Sequence, residues 1–171
     1  MDNVEFGNGL VLHADLNKNA HNKIFVGLGD SKSLIEICIT DYDGHINSID
    51  CINPGLINNT NISLPKTQNL KNEIFPVYFP TLYKDSYETQ DKFIFYFDEN
   101  EVNIVIREDE ITSYYKDGRV ELYYNTNSDL TNIVINNLSE SEYKFLLDIK
   151  EKGVDEVIDT NPYENKEEKI K

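Results

Sequence analysis

The chain has no tryptophan, one methionine, two cysteines, two alanines and two arginines among 171 residues, and each scarcity excludes something. Cys38 and Cys51 cannot build a disulfide scaffold, which points to a reducing, cytoplasmic setting. Arg107 and Arg119 are the only guanidinium groups, too few for a mechanism that relies on several rigid bidentate clamps. No apolar run approaches the ~18–20 residues of a membrane span. The acidic start, Met1-Asp2-Asn3-Val4-Glu5, lacks the basic-then-apolar order of a signal peptide. Positive charge is short as well: 16 Lys+Arg face 31 Asp+Glu, a formal charge of −15. Such a balance opposes phosphate backbones and anionic lipids, so neither nucleic acid nor a membrane is an expected partner.

What is present is a foldable chain. Apolar content of 39% with 11% aromatics is too hydrophobic for a disordered acidic polypeptide. The length suits one domain, expected over residues 1–159, with the charged residues 160–171 frayed beyond it. No internal repeat of fixed period is apparent.

Period-two alternation dominates residues 93–135. Phe93, Phe95 and Phe97 alternate with Ile94 and Tyr96, and Val102, Ile104 and Ile106 resume the pattern after Asp98-Glu99-Asn100-Glu101. Pairing Phe97 with Val102 and Phe95 with Ile104 gives one all-apolar face, which a one-residue slip would destroy. Glu108-Asp109 is then expected to turn the chain and pair Ile106 with Ile111. A type I′ turn centred on Asp117-Gly118 would pair Tyr115 with Val120 and Ser113 with Leu122. A longer turn over residues 125–129 leads to a strand with Ile133 and Ile135. These segments predict a five-strand antiparallel meander.

Earlier, Ile35, Ile37 and Ile39 alternate toward a loop Tyr42-Asp43-Gly44 whose glycine suits a left-handed position. That register opposes Ile37 to Ile49 and Ile35 to Cys51, and sends the two cysteines to opposite faces. Strands near residues 10–13 and 23–28 complete a second, smaller meander. Between the meanders, residues 53–92 hold four of the five prolines together with Phe75, Tyr78, Phe79, Tyr83 and Tyr87, a composition that suits a packed cover. Ser139 and Glu142 form a capping-box pattern, Leu138 and Tyr143 a hydrophobic staple, and Gly153 a stop, which specify a C-terminal helix. The fold class is therefore α+β and mostly antiparallel β: two meanders, as a sandwich or partly closed barrel, with one C-terminal helix.

Chemical motifs are missing. His13, His21 and His45 show no metal-ligand spacing, and Asp41-Tyr42-Asp43-Gly44 puts Ile39 where a calcium loop needs its first aspartate. No phosphate-binding, dinucleotide, zinc-protease or serine-elbow motif occurs. No catalytic residue, metal site or cofactor is assigned, and the protein is not read as an enzyme. The charge distribution is more informative. Residues 85–121 carry eleven acids against four bases, a net of −7, whereas residues 1–71 carry a net of only −3. Solvation of exposed turns explains part of this excess. The functional alternative is an anionic surface for a cationic partner, formed by Asp98, Glu99, Glu101, Glu108, Asp109, Glu110, Asp117 and Glu121. Tyr96, Tyr114 and Tyr123 share the face opposite the Phe/Ile stripe and would serve as its anchors. The rival reading is a barrel that carries a small apolar ligand against Phe93, Phe95 and Phe97.

The stretch Ser33-Leu34-Ile35-Glu36-Ile37-Cys38-Ile39-Thr40-Asp41-Tyr42-Asp43-Gly44-His45-Ile46, with the helix start Leu138-Ser139-Glu140-Ser141-Glu142-Tyr143-Lys144-Phe145-Leu146, resembles the bacterial immunity proteins of contact-dependent inhibition and related polymorphic-toxin systems. The resemblance implies a cytoplasmic protein that neutralises a cognate, basic toxin domain by tight binding, often a nuclease whose active site it blocks.

Overall fold

Alternating apolar residues build two β-sheets that share one hydrophobic core in the computed structural model, which describes residues 2–16, 23–30, 32–40, 44–74, 76–77, 88–89 and 92–158. The strands in chain order are β1 (Val4–Phe6), β2 (Leu12–Asp15), β3 (Lys23–Asp30), β4 (Ser33–Thr40), β5 (Ile46–Asn53), β6 (Ile57–Asn59), β7 (Lys71–Asn72), β8 (Glu88–Thr89), β9 (Ile94–Phe97), β10 (Glu101–Val105), β11 (Ser113–Asp117), β12 (Val120–Tyr124) and β13 (Leu130–Asn136). The first sheet has the order β1-β2-β5-β4-β3-β8, and the second β6-β9-β10-β13-β12-β11-β7. Most pairings are antiparallel, and among the described residues neither sheet closes into a barrel. Phe95 and Phe97 are fully buried between the sheets, each worth ~1.5–3 kcal/mol of apolar burial.

The expected hairpin of Phe97 with Val102 and Phe95 with Ile104 forms as anticipated, and so do the Ile37–Ile49 and Ile35–Cys51 pairs. Cys51 faces the core and Cys38 the opposite side; both are buried, and no disulfide joins them.

The meander order does not hold. β13 inserts between β10 and β12, so Ile106 does not pair with Ile111; its amide donates instead to the Thr131 carbonyl at 2.8 Å. The reason is burial. Six of the seven β13 residues are buried, which requires a neighbour on each edge, while β11 exposes Lys116 and suits an outer position. The β11–β12 hairpin is also displaced by two residues from the expected register: Asp117 pairs with Val120 and Tyr115 with Leu122. Only Gly118 of the turn takes a positive φ, +57°, so glycine occupies the first loop position, the type II′ pattern, and Asp117 stays in the strand. An even displacement keeps every side chain on its expected face.

The two sheets repeat one topology. Strands β2 to β5 and β10 to β13 each form a Greek key, each is flanked by a preceding hairpin strand, and each ends on a parallel edge strand, β8 on β3 and β7 on β11. Even the irregularities match. Asn47 is an extra residue between the Cys38–Ser48 and Ile39–Ile46 pairs; Thr131 is an extra residue between the Tyr123–Asn132 and Tyr124–Leu130 pairs. Without the bulge, strict alternation would turn Ile46 and Leu130 outward; with it, both are buried in the core. The hairpin before β5 thus joins Thr40 to His45 rather than continuing the expected register to Asp41, and Gly44 carries the left-handed φ of +70°. The equivalent turn before β13 ends on Ser128 at +64°. Connecting loops of different length prevent a fixed sequence period.

The proline-rich segment supplies edge strands β6, β7 and β8. Its aromatics Phe75, Tyr78, Phe79, Tyr83 and Tyr87 lie outside the described residues, as do residues 160–171. Helix α1 (Glu140–Lys152) starts on the complete Ser139/Glu142 capping box and ends at Gly153, with a short α2 (Val154–Val157) after it. The helix bridges the sheets: Phe145 meets Phe6 of the first edge-on, and Tyr143 meets Phe97 of the second. Among the described residues no helix is long and apolar enough to cross a membrane.

Candidate functional site

The outward face of the second sheet carries two rows of side chains fixed by register. One runs Tyr96, Asn103, Val134, Glu121, Lys116; the other runs Ile94, Val105, Asn132, Tyr123, Tyr114. Residues 60–70 leave β6 at one edge and reach β7 at the other, so they cross this face as a strap. Asn103, Val134, Glu121, Asn132 and Tyr123 are buried in consequence.

The strap separates the expected site residues into those it hides and those it leaves at the surface. Tyr123 is 3% exposed, and its hydroxyl donates to Glu121 at 2.6 Å. Glu121 also accepts from Lys116 Nζ at 2.7 Å. Burial pushes the Glu121 carboxyl up, but the Lys116 and Tyr123 hydrogen bonds outweigh it and hold it below its ordinary value. Burial and that same carboxylate raise the Tyr123 phenol. These two residues therefore form an internal polar pair. Tyr114 is half-buried against Tyr123, with ring centroids 6.4 Å apart.

Asp98 closes the β9–β10 turn. It accepts from the amides of Asn100 at 2.7 Å and Glu101 at 2.9 Å, and from Asn61 Nδ2 of the strap at 2.7 Å. Against the upward push of burial, these donors hold its carboxyl low. Glu99 is exposed. Glu101 is partly covered, and burial, with Asp98 and Glu121 nearby, raises its carboxyl. Asp117 ends β11, where its carbonyl accepts from Asn3 Nδ2 at 3.1 Å.

Glu108, Asp109 and Glu110 are exposed in the segment between β10 and β11. Asp109 accepts from Asn125 Nδ2 at 2.9 Å, whereas Glu108 and Glu110 have no hydrogen bond or ion pair among the described residues. These three rim an open groove of about 560 Å³, whose floor includes Tyr96 and Val105 and whose other wall is the strap at Ile62 and Leu64. A second open groove, of about 420 Å³, lies on the other side of Tyr96, between Ile94 and Leu56. Leu56 is 80% exposed and Ile94 40%, unlike nearly every other large apolar residue described. Of the eleven residues expected at the site, the structure brings four together here: Tyr96, Glu108, Asp109 and Glu110.

Leu56, Ile94 and the strap did not emerge from charge counting. Their signal was the Gly55-Leu56 step beside a proline and the outward parity of Ile94, both readable only once the strap is placed. The outer face of the first sheet was also missed: Glu5, His13, Asp15, Glu36 and Asp50 share it, and His13 Nδ1 lies 2.5 Å from Asp50 Oδ1. Among the described residues no group of three or more His, Cys, Asp or Glu could hold a metal ion.

No protein-family model matches the chain, and no curated protein matches it.

Proposed function

We propose that the protein is an immunity-type inhibitor, acting in the cytoplasm, that binds and neutralises a cognate toxin domain with a basic surface. The observation that carries the reading is the pair of unpartnered carboxylates, Glu108 and Glu110, beside an open groove floored by Tyr96. A surface of this kind pairs with the Lys and Arg side chains that a nuclease uses to hold phosphate, and so competes for the same cations. The −15 charge steers the encounter, and apolar contacts at Tyr96 slow dissociation. The sequence resemblance to immunity proteins points the same way.

The carrier reading has less support. It needs a closed barrel with Phe93, Phe95 and Phe97 around a cavity, but the sheets end in edge strands and these rings pack into the shared core. Co-purification with the protein encoded immediately upstream tests the inhibitor. A complex whose association rate falls with added salt is expected; no association at micromolar concentration overturns it.

A further inference from the structure

We propose that the two grooves form one recognition channel for a single extended, basic segment of a partner protein. The segment places an apolar side chain on each side of Tyr96 and its Lys or Arg residues against Glu108 and Glu110. The inference rests on the reading above only in assigning this face to a protein partner.

Continuity comes first. Tyr96 lines both grooves, of about 560 and 420 Å³, so the two adjoin at this one residue. Each falls within the range of cavities that take organic groups. Both compartments have apolar walls: Leu56, Ile94 and Phe93 on one side, Val105, Leu64 and Ile111 on the other. Leu56 and Ile94 expose apolar surface that the fold itself does not cover, and in the second sheet's outward rows that exposure is confined to the β9 end.

The walls decide the shape of the occupant. The strap rises on one flank of the larger compartment and residues 107–111 on the other. A flat protein surface would rest on these rims and leave the floor empty, whereas a single strand can descend between them. An extended segment points every second side chain to one face, ~6.6–6.8 Å apart, the same step that separates Ile94 from Tyr96 along β9. Two downward side chains can therefore straddle one ring, while the intervening residues face the rims.

Charge sets the composition. Glu108, Asp109 and Glu110 against Arg107 leave the rim of the larger compartment anionic, and the smaller one is balanced by Asp30 and Lys32. Glu108 and Glu110 have no internal partner among the described residues, so a cation there displaces nothing. Asp30 is already committed, since it accepts from the amides of Lys32 and Ser33 at 2.8 and 3.1 Å. The basic end of the segment thus lies over the larger compartment and a neutral end over the smaller.

The test uses the full-length protein and a fluorescein-labelled peptide of alternating Leu and Lys, read by anisotropy. Two control peptides replace every Leu by Ser or every Lys by Glu. Saturable binding of the Leu/Lys peptide is expected, with loss of about tenfold or more in the Leu56→Ser/Ile94→Ser variant. A weaker salt dependence is expected in Glu108→Gln/Glu110→Gln. Both variants change exposed side chains, and circular dichroism checks that they remain folded. Equal binding of the Ser/Lys peptide, or binding indifferent to Leu56→Ser/Ile94→Ser, reduces the effect to bulk charge and overturns the proposal. Failure to bind the Leu/Lys peptide overturns it too. If the upstream protein associates while the peptide does not, the channel fails and the inhibitor reading stands. If the peptide binds while the upstream protein does not, the channel stands and the inhibitor reading fails.

Discussion

Thr131 stands in the second sheet where Asn47 stands in the first. Each is the extra residue of a bulge, each is buried, and each offers its carbonyl to a neighbouring amide at 2.8 Å: Leu16 for Asn47, Ile106 for Thr131. Their side chains then brace the turn. Thr131 Oγ1 donates to the Tyr123 carbonyl at 3.0 Å, and Asn47 Nδ2 to Thr40 Oγ1 at 3.2 Å. Thr131→Val keeps the shape and removes the donor, so a loss of about 1 kcal/mol is expected. Urea denaturation should show a lower midpoint with an unchanged slope. A changed slope would mean that the compactness of the native or the unfolded ensemble had altered instead.

Arg119 ties three parts of the molecule together. It meets Glu142 of α1 with two donors, at 3.0 and 2.8 Å, Asp2 at 2.7 Å, and the Asn136 carbonyl at 3.0 Å. Its side chain is only 15% exposed, so these bonds are worth more than a surface pair. Arg119→Lys cannot reproduce the fork, and a loss of about 2 kcal/mol is expected from chemical denaturation.

Acid titration should separate two classes of carboxylate. Burial pushes the Glu142 carboxyl up, but Arg119 and the Ser139 amide pull it below its ordinary value. Its contribution is therefore present above the unfolded-state value and is lost as pH falls through the lowered one. Glu101 behaves oppositely. Burial and the nearby Asp98 and Glu121 raise it, so the fold favours its protonated form, and that contribution disappears as pH rises through the raised value. Glu101→Gln should raise the thermal midpoint at neutral pH, with the gain vanishing near pH ~3, where both states are protonated. An equal gain at both pH values would assign the effect to packing.

Two tyrosines on one sheet face should respond to mutation in different assays. Tyr123→Phe deletes a buried donor to a carboxylate and should cost about 1.5–3 kcal/mol of stability, with no direct effect on partner affinity. Tyr96→Ala should leave stability nearly intact and weaken partner binding by about tenfold or more. Calorimetric binding and thermal denaturation of the same two proteins make the comparison.

The alternation of Phe93, Phe95, Phe97, Val102 and Ile104 made the inward face legible, because one-residue slips are heavily penalised there. Strand order was less legible. Period two reports which face a side chain takes and says nothing about its neighbour, so the insertion of β13 between β10 and β12 left no mark except its own dense burial. The same insensitivity let the β11–β12 pairing register shift by two residues without changing a face. Tyr96 and Tyr123 had identical parity in the sequence; only the strap, arriving from residues 60–70, distinguishes an accessible ring from a buried one. Asp98 counted as surface charge, although its place at the start of a hairpin loop already suited a residue that accepts backbone amides.

Hydrogen exchange of the full chain, with and without the protein encoded immediately upstream, addresses the central claim most directly. Added protection concentrated on Tyr96, Val105 and residues 107–111 is the predicted result. Protection confined to the outer face of the first sheet, around Glu36 and Asp50, or no protection anywhere, would contradict it.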